Sequence, residues 1–258
     1  LIDRETQLDR NRCRVVSLEA DVCSHDAAIE SIGRMAASGR GGYVCFGTVH
    51  MVMESYDDPA FAAKVNGADM IVTDGMPLVW MQRLQGAKAA TRIRANDLMV
   101  SLLGHAEKQG LPVGFYGGRQ EVIDAIVEKA GREFPALEIA YAYSPPFRPL
   151  TDEEDESVIA EINASGTRIL FMGLGCPKQE NWMADHRDDL SCVMLGVGAS
   201  FDFYAGNVRE SPAWLGRLGL EWLYRLFQEP KRLWRRYLIL NPRFIVLAAR
   251  QFLKQKER

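Results

Sequence analysis

A chain of 258 residues, 47% apolar and 25% charged, can bury a full core and reads as a soluble globular protein, one large α/β domain or one domain with an appendage. Five cysteines (Cys13, Cys23, Cys45, Cys176 and Cys192) with no CxxC pair argue for a reduced cytoplasmic protein without a zinc site, and no signal peptide or membrane-length apolar run is visible. The net charge of −3 conceals an asymmetry: Ser211 to Arg258 carries eleven Lys/Arg against three Asp/Glu, so a basic tail follows an acidic body and suggests an anionic partner, whether phosphorylated ligand, acidic lipid or nucleic acid.

Residues 1–14 are polar and arginine-rich and read as a lead-in, with a first strand over Val15–Leu18. Helical spacing runs from Asp26 to Ala37. Tyr43–Phe46 is a strand that ends in the loop Gly47-Thr48-Val49-His50, and Ser55–Ala63 turns into a helix with Pro59 at an early position. Ala68–Val72 is the next apolar strand, followed by Thr73-Asp74-Gly75-Met76-Pro77 and a helix over Leu78–Leu84. Asp97 caps or opens another helix. Val113–Tyr116 is a strand ending in Gly117-Gly118, before a helix over Glu121–Glu133. Ile139–Tyr143 is a strand, and Thr151 opens an acidic helix over Asp152–Asn163.

The stretch RILFMGLGCPKQE, Arg168 to Glu180, is a buried strand, a glycine turn and a helix in succession. Such a turn sets backbone N–H groups and a helix N-terminus at the carboxyl edge of a sheet, where anions bind. Lys178 and Gln179 add a cation and an amide; the alternative is a βα turn whose glycines only permit tight packing. Val193–Val197 is the last strand.

The alternation predicts a Rossmann-like, mostly parallel sheet with helices on both faces and its loops along one carboxyl edge. From Pro212 the character changes to Trp, Leu and Arg at helical spacing, broken at Pro230 and Pro242. The expected organisation is an α/β catalytic domain over residues 1–210 and a helical, arginine-rich appendage over 211–258.

Asp74 directly follows a buried strand, so its carboxylate can serve as a general base, bind a ribose hydroxyl or a metal, or cap the next helix. Thr48 and His50 can line the same pocket. Arg225, Arg232 and Arg235, spaced by seven and three, would share one face of a regular helix, suited to a diphosphate, an anionic membrane or plain solvent. Cys176 lacks a visible His partner. The GxG pairs lack a third glycine at the right offset, which disfavours nicotinamide and flavin chemistry. Tryptophans among the arginines disfavour nucleic acid.

The stretches NGADMIVTDGMPLVW (66–80), RIRANDLM (92–99), FYGG (115–118), GLGCPKQENW (173–182) and GVGASFDFYAG (196–206) with SPAWLGRLGLEWLYRLFQEPKRLWRRY (211–237) resemble the WecG/TagA/CpsF bacterial glycosyltransferases, glycosyltransferase family 26. The resemblance implies an inverting, metal-independent transfer of N-acetylmannosamine, its uronic acid or glucose from a UDP donor to a polyprenyl-diphosphate-linked sugar, at the cytoplasmic membrane face. It implies Asp74 as the catalytic base. It implies substrate-binding roles for Thr48, Gln179, Arg225, Arg232 and Arg235, with no metal and no cofactor; His50, Arg94, Asp97, Gly117, Gly118, Gly173, Gly175 and Lys178 are further expected to bind substrate. His50 stands where some members carry Asn, and Ala95 where Gly is common. Expected partners are the UDP-sugar, the lipid-linked acceptor, an anionic membrane reached through the C-terminal helices, and a second copy of the chain. The rival expectation is a catalytically silent UDP-sugar-binding protein.

Overall fold

The computed structural model describes residues 11–256, so most of the lead-in lies outside the described residues. The first strand expected over Val15–Leu18 is instead the turn of a hairpin, β1 (Arg12–Val15) and β2 (Leu18–Asp21), with Val16 at φ +57°. Asp21 ties this hairpin to the main sheet by accepting from the backbone N–H of Ile71 at 2.7 Å.

The remaining strands are β3 (Gly42–Gly47), β4 (Met70–Thr73), β5 (Val113–Gly117), β6 (Ile139–Tyr143), β7 (Ile169–Gly173) and β8 (Val193–Gly196). They form one six-stranded sheet in the order β4-β3-β8-β7-β5-β6, and every pairing is parallel. Side chains alternate across its central strands: Val44 and Phe46 enter one core, Tyr43 and Cys45 the other, and Ile169/Phe171 and Leu170/Met172 repeat the pattern. Both faces are therefore covered, as a parallel sheet requires.

One face carries α1 (His25–Ser38), α5 (Ala95–Gln109), α6 (Gln120–Glu133) and α9 (Ser200–Tyr204). The other carries α2 (Val49–Asp57), α3 (Pro59–Asn66), α4 (Met76–Leu84), α7 (Asp152–Ala164), α8 (Lys178–Asp185) and the last helix, α12 (Pro230–Lys256). Local signals set many of these boundaries. Ser24 caps α1, Asp58 with Pro59 opens α3, and Thr151 with Glu154 forms a reciprocal capping box on α7.

Two expectations are corrected here, those after β3 and at Pro242. The segment after β3 is no open loop: Thr48 caps α2, which starts at Val49. The segment after β8 coils into α9. Pro242 does not end a helix; it lies inside α12, while Pro230 starts that helix. Before it, α10 (Ala213–Arg217) and α11 (Glu221–Gln228) lead the chain across the carboxyl edge of the sheet. Phe244 and Ala248 of α12 are buried in the core beneath α2, and Gln251 bonds the hairpin at Val16 and Arg14, so α12 is packed along the body.

Gly117 illustrates how close the chain passes at the end of β5. Its φ is +111°, and a Cβ there would lie 2.8 Å from the carbonyl carbon of Gly173 on β7. Gly117→Ala is expected to cost about 2–5 kcal/mol, since strained φ and a backbone overlap act together. Gly166→Ala, at φ +75° with open space around it, is expected to cost only about 1–2 kcal/mol. Urea unfolding of the two variants measures the difference, and equal losses would refute the close-approach argument.

Candidate functional site

The carboxyl ends of four adjacent strands, β4, β3, β8 and β7, open into a cleft of about 760 Å³ that α11 and α12 cover from above. Ten of the residues expected to act line it: Asp74, Thr48, His50, Arg94, Gly173, Gly175, Gln179, Arg225, Arg232 and Arg235. Gly117, Gly118, Lys178 and Asp97 do not. Gly117 ends β5, one strand beyond β7, and Gly118 follows it; they pack against Gly173 and Phe201 respectively. Lys178 is exposed at the start of α8, and Asp97 sits in the first turn of α5 paired with Arg94 at 3.2 Å.

Asp74 occupies the first position after β4. Its backbone N–H donates to the Gly47 carbonyl at 3.0 Å, which locks the loop to β3. Its carboxylate accepts from the Ala95 N–H at 3.4 Å and pairs with the Arg92 guanidinium at 3.3 Å. Arg92 Nε also donates to the Asp74 carbonyl. The same Arg92 Nη2 lies 2.7 Å from Glu221 of α11. Burial pushes the Asp74 carboxyl above its ordinary value; Arg92 opposes this and Glu221 reinforces it. Asp74 does not cap α4, whose N-cap is Gly75.

Thr48 Oγ1 accepts from the Met51 N–H at 3.3 Å as the cap of α2, which leaves its O–H as a donor for a ligand. Gln179 is 4% exposed, and its amide is engaged within the protein. It donates to Gly196 O at 2.7 Å and to Glu180 at 2.8 Å, and accepts from the Gly175 N–H at 3.0 Å. It therefore braces the glycine turn, and Gly175 N–H is already satisfied. Glu180, fully buried beside it, is pushed up by burial. Burial, and next the Glu180 charge, likewise push the Cys176 thiol up, away from the range of a reactive thiolate.

The arginines come from two helices, not one continuous face: Arg225 from α11, Arg232 and Arg235 from α12. Glu229, between the helices, holds Arg232 at 2.7 Å and Arg225 at 3.5 Å, and Arg225 lies over the Phe203 ring at 5.1 Å. Arg236 also lines the cleft. Burial lowers its pKa, with Arg225 and Arg232 adding to the effect, and its Nε has no hydrogen-bond partner. Four guanidinium groups of α11 and α12 thus gather on the helix side of a cleft whose other lining includes Arg94 and the carboxylates of Glu54, Asp74, Glu180, Asp202 and Glu221, and guanidinium forks so grouped can grip a multiply charged anion.

Arg92, Glu180, Glu221 and Arg236 were not singled out from sequence. All four lie within stretches that carry the resemblance, but only tertiary contacts show what they touch. Arg236 could have been found by asking which arginine faces the core stripe once the helix restarts at Pro230. Among the described residues, no group of three His, Cys, Asp or Glu side chains converges as a metal site.

A family model described as the Glycosyl transferase WecG/TagA/CpsF family matches residues 13–258. The chain belongs to this family. It is a glycosyltransferase. An N-acetylglucosaminyldiphosphoundecaprenol N-acetyl-beta-D-mannosaminyltransferase of Bacillus spizizenii strain W23 is 34% identical over 207 residues, 80% of this chain and 78% of that protein. A protein of the same description from Bacillus subtilis strain 168 is 35% identical over 176 residues, 67% of this chain and 66% of that one.

His50 supplies a stability test. It lies on α2 with Nε2 3.3 Å from Glu54, and burial together with the Arg236 charge lowers its pKa to about 4. The unfolded chain protonates this residue near its ordinary value, the folded chain only near the lowered one. Stability is therefore lost as pH falls through that window. His50→Gln is expected to remove the effect, so that its stability relative to the parent improves by on the order of 2–3 kcal/mol between pH 7 and pH 4. Urea unfolding at the two pH values checks this, and a constant difference would place His50 in a solvated environment.

Proposed function

We propose that this glycosyltransferase moves a hexose from a UDP donor onto a polyprenyl-diphosphate-linked sugar, with inversion and without a metal, in the synthesis of a cell-envelope polymer. N-acetylmannosamine is the first donor sugar to test and an N-acetylglucosaminyl diphosphate lipid the first acceptor, by analogy with the two Bacillus relatives. One observation carries the reading: Asp74, at the carboxyl edge, shares a cleft with arginines from α11 and α12.

In this mechanism the Asp74 carboxylate takes the proton of the acceptor hydroxyl as its oxygen attacks the anomeric carbon. The new C–O bond forms on the face opposite UDP, and the bond from C1 to the β-phosphate oxygen breaks. An Asp with a raised pKa is a stronger base than an exposed one, provided that it is ionised at the working pH. Arg225, Arg232, Arg235 and Arg236 stabilise the charge that grows on the departing UDP, a role in which preorganised donors lower the barrier. Thr48 and Arg94 are positioned to hold the sugar or nucleotide. Gln179 contributes indirectly, by fixing the turn at Gly175.

The protein is proposed to work at the inner face of the membrane, where a lipid-linked acceptor resides. No helix among the described residues is long and apolar enough to cross a membrane. The C-terminal helices instead expose Trp214, Phe227, Trp234 and Leu238 among their arginines, a surface suited to anionic lipid.

UDP release from a panel of UDP-sugars, with a short-chain prenyl-diphosphate sugar as acceptor, tests the proposal. Acceptor-dependent release is expected, and Asp74→Asn should lower kcat about 10²- to 10⁴-fold while UDP affinity is retained. Binding of UDP-sugar without turnover would favour a silent binding protein. Glu221→Gln should move the acid limb of kcat/KM to lower pH, because Arg92 then acts on Asp74 unopposed. A limb that stays put or moves upward would show that Glu221 does not set the base.

A further inference from the structure

A second cavity, of about 580 Å³, opens from the other side of Asp74. It runs between α4 and α12 beneath the turn that joins α10 to α11, and its walls are Met76, Trp80, Met81, Leu220, Phe244 and Ile245. Gly219, at φ +70°, lets that turn approach Trp80 so closely that a Cβ would lie 2.7 Å from the indole ring. The volume is that of a site for a mainly apolar ligand.

The charges along this groove are confined to one end. Asp74, Arg92, Glu221, Arg225 and Arg236 lie there; apart from Arg92, all of them also line the polar cleft, as do Thr48 and His50. Away from that end the lining carries no charged side chain, and the rim leaves Leu84, Leu218 and Ile245 more than half exposed. A ligand that fills the groove and reaches Asp74 must have an anionic polar head and an uncharged apolar chain. Arg236, half-buried and without a carboxylate partner among the described residues, stands where such a head would pass.

We propose that this groove binds the first isoprene units of the acceptor's prenyl chain, so that donor and acceptor enter from opposite sides and meet at Asp74. This rests on the transferase reading above. It assigns α4 and α12 a direct role in acceptor recognition, beyond contact with the membrane surface.

Calorimetric titration with the methyl and farnesyl esters of N-acetylglucosaminyl diphosphate tests it, below the micelle concentration and with no bilayer present. Each methylene withdrawn from water tightens binding about fourfold, so the farnesyl ester should bind at least about 10-fold more tightly than the methyl ester. Leu218→Asp and Ile245→Asp alter rim side chains outside the polar cleft and should reduce that gap to less than about threefold, while UDP and the methyl ester bind as before. A photoreactive farnesyl analogue should label α4 or α12. Equal affinities of the two esters, a gap that survives both variants, or labelling elsewhere would overturn the assignment. So would self-association that both variants abolish without any farnesyl preference, which would make the groove an interface between copies. Turnover that is independent of Asp74 would sink the transferase mechanism but leave a measured prenyl preference standing. Normal turnover with no preference would sink only the groove.

Discussion

The Arg92 guanidinium is the point on which the site depends. It pairs with Asp74 at the end of β4 and, through the same nitrogen, with Glu221 on α11. A carboxylate buried at a sheet edge without a cation would lose its charge, whereas one held by an unshared arginine would be a weak base. Sharing the cation between two carboxylates sets Asp74 between these limits. In the proposed mechanism this arrangement also makes the C-terminal helices part of the catalytic environment, because Glu221 of α11 reaches Arg92 from across the carboxyl edge. Arg94 strengthens the same seam through Glu210 at 2.8 Å.

Topology determines which loops can join this centre. In a parallel sheet every strand delivers its carboxyl end to one edge, but neighbouring strands are separated by about 4.8 Å, so a compact ligand reaches only a few of them. Here β3 and β4 are placed beside β8 and β7, and those four ends supply the cleft. The β5 end lies beyond β7, which is why Gly117 and Gly118 serve packing while the equally glycine-rich turn after β7 borders the ligand space.

Much of this was legible in the sequence. Apolar runs punctuated by glycine marked the strands of the sheet, and Asp74, Thr48 and the arginines were recognisable from their positions and from the quoted stretches. What escaped depends on contacts between distant segments. Gln179 looks like a ligand donor in the linear chain, yet Gly196, seventeen residues on, occupies its amide. Pro242 looks like a helix break, but packing of Phe244 and Ala248 against the body carries α12 through it. The helix after Thr48 was missed because its apolar residues, Met51, Val52 and Met53, are buried against neighbours that only the fold supplies. Glu221 lies within the quoted stretch 211–237, but nothing local marks its role, because its partner Arg92 stands 129 residues away in the chain.

The charge asymmetry then acquires a physical reason in the fold. Guanidinium groups crowded at one cleft repel one another, and Arg236 bears the added cost of burial without an ion pair among the described residues. Such an arrangement lowers the stability of the empty protein and is relieved when an anion arrives. A nucleotide diphosphate in the polar cleft and a lipid diphosphate at the mouth of the apolar groove would each supply that relief. In the proposed mechanism both diphosphates lie beside the carboxylate that must stay ionised and basic. The arginines would therefore screen Asp74 from its own substrates, and a base placed between two anionic ligands needs that screening before a proton can move to it.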